Sequence, residues 1–252
     1  MQHITTLTLE LTALSELAHK ASRVCFYAPY MQGVMMELVD SRYVDYVHGL
    51  PFNPYSQHCL GREDGTIVWT IHALDDTAAE QIVTPLSKAG TLEVRKLDAK
   101  LEVAKVATET VPLSVLADRV HGDSEQRSRI EFVTPTAFKT AGSYAVMPSV
   151  KLIFQNLLMR YGQVYGADAE ADEDTVSYIE EHVHITSYNL KTRHFENIMR
   201  KNGRIPAFVG SVGIRSTGAQ PLIGLVRMLV GFAQYSGIGI KTSMGMGAVR
   251  CK

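Results

Sequence analysis

A chain of 252 residues with a formal net charge of −1 and a 46% hydrophobic share has the composition of a globular protein, long enough for one large or two small cores. No apolar run reaches membrane-spanning length, and Met-Gln-His-Ile at the N-terminus lacks the basic and apolar regions of a signal peptide, so a cytoplasmic protein with no membrane contact is expected. Three scattered cysteines, Cys25, Cys59 and Cys251, form no C-x-x-C pair, which argues against a zinc knuckle or a disulfide framework.

From the N-terminus, Ile4, Leu7, Leu9 and Leu11 alternate with Thr and Glu as in a half-buried strand. Met31, Val34, Met35 and Leu38 then recur at helical spacing, with Pro29 in a position suited to a first turn. Asp40 or Ser41 can cap a second short helix, 42–47, that runs out at His48-Gly49. Residues 51–56, bracketed by prolines, read as a rigid turn, and 66–73 as a strand. A helix follows from a cap at Asp75 or Asp76 through Ser87, with strands at 92–94 and 101–108.

Residues 112–126 are polar and short of pattern, a linker by composition. The grammar then restarts: strand 130–133, turns at Pro135, Gly142 and Pro148, helices 150–161 and 174–182, strands 185–195 and 206–211 around a tip at 201–204, helix 222–235, and a closing strand 248–251. Each half is expected to follow the β-α-β-β-α-β order of the split βαβ arrangement, in which two helices cover one face of an antiparallel sheet and leave the other free. The expected class is α+β, with two tandem ferredoxin-like domains at 1–111 and 127–252. An open sheet face beside a basic hairpin is a recurrent RNA platform.

Two stretches point to a polyanion. Between Lys191 and Arg215 the charged residues are Lys191, Arg193, Arg200, Lys201, Arg204 and Arg215 against the single acid Glu196; a solvated hairpin edge is the competing explanation. The second stretch is 236–250, where Gly237 and Gly239 precede Lys241, Thr242 and Ser243, and Gly245 and Gly247 follow them before Arg250. Such a loop reads as an anion cradle. A P-loop is not expected, because Ile240 and not glycine precedes the lysine and the five residues given after Gly247 are too few for the required helix.

Of the nine histidines, His48 stands out at the end of a short helix before Gly49 and a stiff turn. A histidine there can serve as general acid or base; a ring that merely caps the last carbonyls is the alternative. His182-x-His184 has no third ligand near in sequence, and no metal site is expected. Paired-carboxylate, H-E-x-x-H and G-x-S-x-G motifs are missing from the chain. An RNA phosphodiester needs none of them, since its own 2′-hydroxyl supplies the nucleophile.

Three stretches together carry a family resemblance: Gly-Ile-Gly-Ile-Lys-Thr-Ser-Met-Gly-Met-Gly at 237–247, Tyr-Val-Asp-Tyr-Val-His-Gly at 43–49 with Asn-Pro-Tyr-Ser-Gln at 53–57, and Phe-Val-Thr-Pro-Thr-Ala-Phe-Lys from 132 with Gly-Ser-Tyr at 142–144. Over nearly its whole length the chain resembles the CRISPR-associated endoribonuclease that is sixth of the Cas proteins, within the repeat-associated RNA-binding superfamily, in a form like those of type III systems. The resemblance implies two ferredoxin-like domains that bind CRISPR repeat RNA and cut precursor crRNA without cofactor or metal. Attack by the 2′-oxygen then gives a 2′,3′-cyclic phosphate and a 5′-hydroxyl. The family's histidine maps onto His48. The tyrosine of some relatives falls on Met36, and no lysine lies between His48 and Lys88, so Tyr27, Tyr30, Tyr43, Tyr46 or a loop cation is left to assist; Tyr43 and Tyr46 share the short helix with His48. The resemblance also assigns the repeat backbone to the hairpin and the glycine loop, implies a type III effector complex as a transient partner, and is compatible with a monomer or a homodimer. The alternative function is a non-catalytic RNA-binding subunit of a CRISPR effector complex.

Overall fold

The computed structural model describes residues 2–13, 21–121, 126–166, 173–197 and 203–252. Two compact units divide the chain: Met1–Pro112 with Ser243–Gly245, and Leu113–Thr242 with Met246–Lys252. No helix among the described residues is long and apolar enough to cross a membrane.

The first unit begins with β1 (His3–Ala13), whose Leu7, Leu9 and Leu11 are fully buried on one face. Helix α1 (Ala28–Leu38) brings Met31, Val34 and Met35 to that face. Side chains of this size each contribute roughly 1.5–3 kcal/mol on burial. Helix α2 (Ser41–His48) starts as expected at Asp40, whose Oδ1 accepts from Arg42 N at 2.8 Å. Strands β2 (Tyr55–Gly61) and β3 (Ile67–Ala73) follow. Helix α3 (76–86) is capped by Asp75, whose Oδ1 accepts from Ala78 N at 2.6 Å. Its middle, Ala79–Val83, widens to π geometry just before Pro85, which has no N–H to give to a helical bond. Strands β4 (Thr91–Val94) and β5 (Ala99–Pro112) complete an antiparallel sheet of order β2-β3-β1-β5-β4, the split βαβ order with β4 added at the edge.

Strand β2 was not expected; 51–56 had the composition of a turn. Its pattern is hidden because a polar residue fills a core position: Gln57 is 1% exposed and fully engaged. Its Nε2 donates to Ala28 O at 2.8 Å and its Oε1 accepts from Trp69 Nε1 at 2.9 Å. Buried amides are tolerated when so satisfied.

In the second unit the expected linker is corrected. Residues 114–121 form helix α4 (Ser114–His121), in which Leu116 is 2% exposed. The reason lies downstream, in helix α7 (Gln220–Ser236): a side chain at Gly224 would meet Val120 and one at Gly231 would meet Arg119, so two missing side chains seat α4. The unit then runs through β6 (Arg127–Thr136), the short hairpin of β7 (Phe138–Thr140) and β8 (Ser143–Ala145), helices α5 (Val150–Tyr165) and α6 (Glu173–His182), strands β9 (Val183–Asn197) and β10 (Gly203–Ser216), α7, and β11 (Val249–Cys251). The sheet order β11-β6-β10-β9 is again that of the split βαβ. Ile130, Phe132, Val212 and Ile214 face the core, where Phe132 meets Phe208 edge to face at 4.8 Å between ring centroids. Arg127, Arg129, Glu131 and Arg215 alternate with them and are exposed.

Candidate functional site

Helix α2 ends in His48. Gly49 N donates to Tyr46 O at 3.1 Å and also reaches Val47 O, so the backbone caps the helix and the imidazole is not needed for it. His48 is exposed, and its ring has no hydrogen bond or ion pair among the described residues. A free imidazole beside the negative end of a helix can accept or donate a proton to a bound molecule.

The tyrosines of the same helix do not join it. At about 100° per residue, Tyr43 and Tyr46 stand roughly 140° and 160° around the helix from His48. Tyr43 is 7% exposed and belongs to the hydrophobic core; its ring lies 5.9 Å from that of Tyr46, which is exposed. Burial, with Asp75 nearby, pushes the Tyr43 phenol well above its ordinary pKa, and its buried hydroxyl has no hydrogen-bond partner among the described residues. It is a packed side chain that cannot share a substrate with His48 from this position.

The glycine loop is held from within. Gly237, Gly239, Gly245 and Gly247 all have positive φ and are buried. Within the second unit, Gly237 N donates to Ala233 O, Ile238 N to Gly247 O, Ile240 N to Ala137 O and Gly247 N to Pro135 O. Gly239 N donates to Asn156 Oδ1 at 2.8 Å. Under these bonds lies Arg160 of α5, 4% exposed. Its Nη2 donates to Gly239 O at 2.9 Å, its Nη1 reaches Ser236 O at 3.5 Å and its Nε reaches Asn156 Oδ1 at 3.3 Å. Burial lowers the guanidinium pKa to about 10, which leaves it charged at neutral pH.

These amides are therefore not open for an anion, contrary to the simplest expectation for the motif. A side chain at Gly247 would meet Ile238 O, which explains that glycine without a ligand. Thr242, a candidate phosphate contact, is 3% exposed. Lys241, half-buried at φ 56, is the cation the loop offers. Within the first unit, Ser243 O accepts from Gln57 Nε2 at 2.9 Å, Ser243 also hydrogen-bonds Tyr55, and Gly245 lies against Ala28.

The hairpin of β9 and β10 carries Lys191, Arg193 and Arg204, all exposed, with Arg204 in register with Glu196. Arg200 and Lys201 lie outside the described residues. Arg250 is exposed on β11 opposite Glu131. Two features had no place in the reading of the sequence: Arg160, a cation interrupting the apolar stripe of Ile153, Phe154 and Leu157, and the pair Arg127 and Arg129, which join Arg215 of the basic stretch in one outward row.

Comparison with known proteins agrees with this architecture. The family model described as CRISPR-associated endoribonuclease Cas6 matches residues 130–249. The chain is 38% identical over 219 residues to the CRISPR-associated endoribonuclease Cas6 of Streptococcus thermophilus, covering 86% of this chain and 88% of the relative. To that of Mycobacterium tuberculosis it is 35% identical over 248 residues, covering 97% and 76%. A solved Cas6 (TTHB231) product complex shares the fold, with a TM-score of 0.80 at 20% identity over 100% of both chains.

Proposed function

Because the chain belongs to the CRISPR-associated endoribonuclease Cas6 family, we propose that it processes precursor crRNA by binding CRISPR repeat RNA and cutting it without a metal. The 2′-hydroxyl of the nucleotide before the cut attacks the adjacent phosphorus. A 2′-O–P bond forms, the bond to the 5′-oxygen breaks, and the products are a 2′,3′-cyclic phosphate and a 5′-hydroxyl. One proton leaves the 2′-oxygen and one arrives at the departing 5′-oxygen.

His48 is the group that moves such a proton in this reading. The observation that carries it is the exposed imidazole at the end of α2, unengaged by the rest of the described protein. An imidazole has one nitrogen that can accept a proton and one that can donate it, and so can act in either direction. Lys191, Arg193, Arg204, Lys241 and Arg250 offset the backbone charge of the repeat, as Lys and Arg do for any polyanion. Transient delivery of the product to a type III effector complex, by a monomer or a homodimer, belongs to the same reading.

The test is cleavage of the cognate repeat in EDTA. Wild type is expected to cut at one position, and a 2′-deoxy substitution there to stop it. His48→Ala is expected to bind as wild type does and to cut about 100- to 10,000-fold more slowly. A variant that cuts at the wild-type rate removes His48 from the mechanism. A wild type that binds the repeat and never cuts it makes the chain an RNA-binding subunit.

A further inference from the structure

We propose that the open face of the second sheet carries a phosphate-binding pocket, formed by Arg127, Arg129, Arg215 and Lys252, that grips single-stranded RNA by its backbone and not by its bases. The proposal rests on the reading that this chain binds RNA, and adds a site at the base of the β9–β10 hairpin, apart from the hairpin's Lys191, Arg193 and Arg204 and from the glycine loop.

Register brings the four cations together. On β6 and β10, Arg127 stands opposite Arg215 and Arg129 opposite Gly213. Arg129 N donates to Lys252 O at 2.7 Å and Lys252 N to Arg129 O at 2.9 Å, which sets Lys252 beside Arg129 at the end of β11. Gly213 provides a floor without a side chain, Ser187 of β9 borders it, and the open depression has a volume of about 560 Å³. That is within the usual range for sites that take a small ligand or one unit of a polymer. A second recess of about 140 Å³ shares Arg127 and Lys252 and adds Arg119 and Arg227, which continues the positive track past the first pocket.

Charge identifies the occupant. No acidic side chain lines either space. None of the four cations forms an ion pair among the described residues. Arg129 Nη2 donates to Ser211 Oγ at 2.7 Å, which fixes the guanidinium plane while leaving its other N–H groups open. Four unpaired cations repel one another, a cost that a polyanion removes. In a chain whose net charge is −1, this concentration is a local feature and not a consequence of composition.

Shape and chemistry select the kind of nucleic acid. Sheet faces that read RNA bases do so with aromatic rings for stacking. Here the lining contains no aromatic side chain, only guanidinium, ammonium, hydroxyl and aliphatic groups. Such a surface holds phosphates whatever the base. A stiff duplex presents its phosphates on a convex surface and cannot follow a concave pocket, whereas a single strand can bend into it.

The experiment measures binding of a short oligouridylate by fluorescence anisotropy over a salt series, with cleavage of the repeat by wild type followed in parallel. Two variants are compared: the triple substitution Arg127→Gln, Arg129→Gln, Arg215→Gln, and Gly213→Val, which keeps every charge and meets chiefly the movable hydroxyl of Ser187. Thermal unfolding confirms that each is folded. The triple variant is expected to lose at least about tenfold in affinity, and its salt slope to fall by roughly 2, near 0.7 for each lost contact to a single strand. Gly213→Val is expected to weaken binding at unchanged charge. Wild-type affinity and slope in the folded triple variant overturn the site, and tighter binding of a duplex than of the single strand overturns its selectivity. Wild-type affinity in Gly213→Val overturns the pocket as the place of contact. If wild type cuts the repeat while the variants bind oligouridylate unchanged, this inference falls and the proposed function stands.

Discussion

The two units repeat one strand order and treat the outward faces of their sheets in opposite ways. In the first, the outward residues of β1 are satisfied from within: Thr6 Oγ1 lies 2.9 Å from His72 Nδ1, His72 stacks 6.2 Å from His58, and Glu10 pairs with Arg62 at 3.0 Å. In the second, Arg127, Arg129, Arg215 and Lys252 are exposed and unpaired with acids among the described residues. The strand order determines which residues share a face, while the outward residues determine what that face can bind. On the proposed reading the first unit supplies the proton-transfer group, and the second supplies the grip. Each therefore has charged or polar groups that maintain the fold and others that are free for a ligand, and substitution separates the two kinds.

The largest effect on stability is expected in the second unit, at the cation that faces inward. Arg160→Met removes the guanidinium donor from Ser236 O and Gly239 O, while Asn156 Oδ1 keeps the Gly239 amide. Each buried group so abandoned costs about 1–3 kcal/mol, so a loss of roughly 3 kcal/mol is expected in urea unfolding. Arg215→Gln, on the outward face, is expected to stay within about 0.5 kcal/mol of wild type. Equal stability of the two variants would erase the distinction between fold cations and ligand cations.

The next effect belongs to the first unit and to pH. Burial, and to a lesser degree His58, lowers the His72 pKa from its ordinary value to about 3. The folded state thus binds this proton less readily than the unfolded chain. Stability is full above the unfolded pKa near 6.5 and declines as pH falls from there toward 3. His72 is partly accessible, which moderates the effect, and about 1 kcal/mol is expected between pH 7 and pH 5. His72→Gln should flatten that limb in melts recorded across the range. A limb of unchanged steepness assigns the acid sensitivity to another group.

Most of this architecture was legible in sequence because its signals are local. The Leu alternation of β1 and the Asp40 cap of α2 each depend on a few neighbouring residues, and both lie where expected. What could not be read depends on partners far along the chain. Strand β2 was obscured by Gln57, whose buried amide makes sense only with Ala28 O and Trp69 present. Helix α4 looked like a linker because its seat is made by Gly224 and Gly231, about a hundred residues later. The basic face combines residues from β6, β10 and β11 that only register brings together. At α2 the position of His48 was legible from its cap, but spacing along the sequence set Tyr43 and Tyr46 beside it when the helix turns them away.

The smallest effect should come from that tyrosine, and it decides how far the chemistry of the first unit extends beyond His48. The Tyr43 hydroxyl is buried and has no hydrogen-bond partner among the described residues, so Tyr43→Phe removes a polar atom that gains nothing from them. Stability is expected to rise by up to about 1 kcal/mol, the usual return when an unsatisfied buried group is deleted. The single-turnover rate on repeat RNA should stay within about twofold of wild type, because a phenol roughly 140° around the helix cannot reach a substrate held at His48. A tenfold loss of rate without loss of stability would require α2 to rotate or unwind when RNA binds. In that case the exposed face of the helix would be set by the substrate, and Tyr43 would return as the partner of His48.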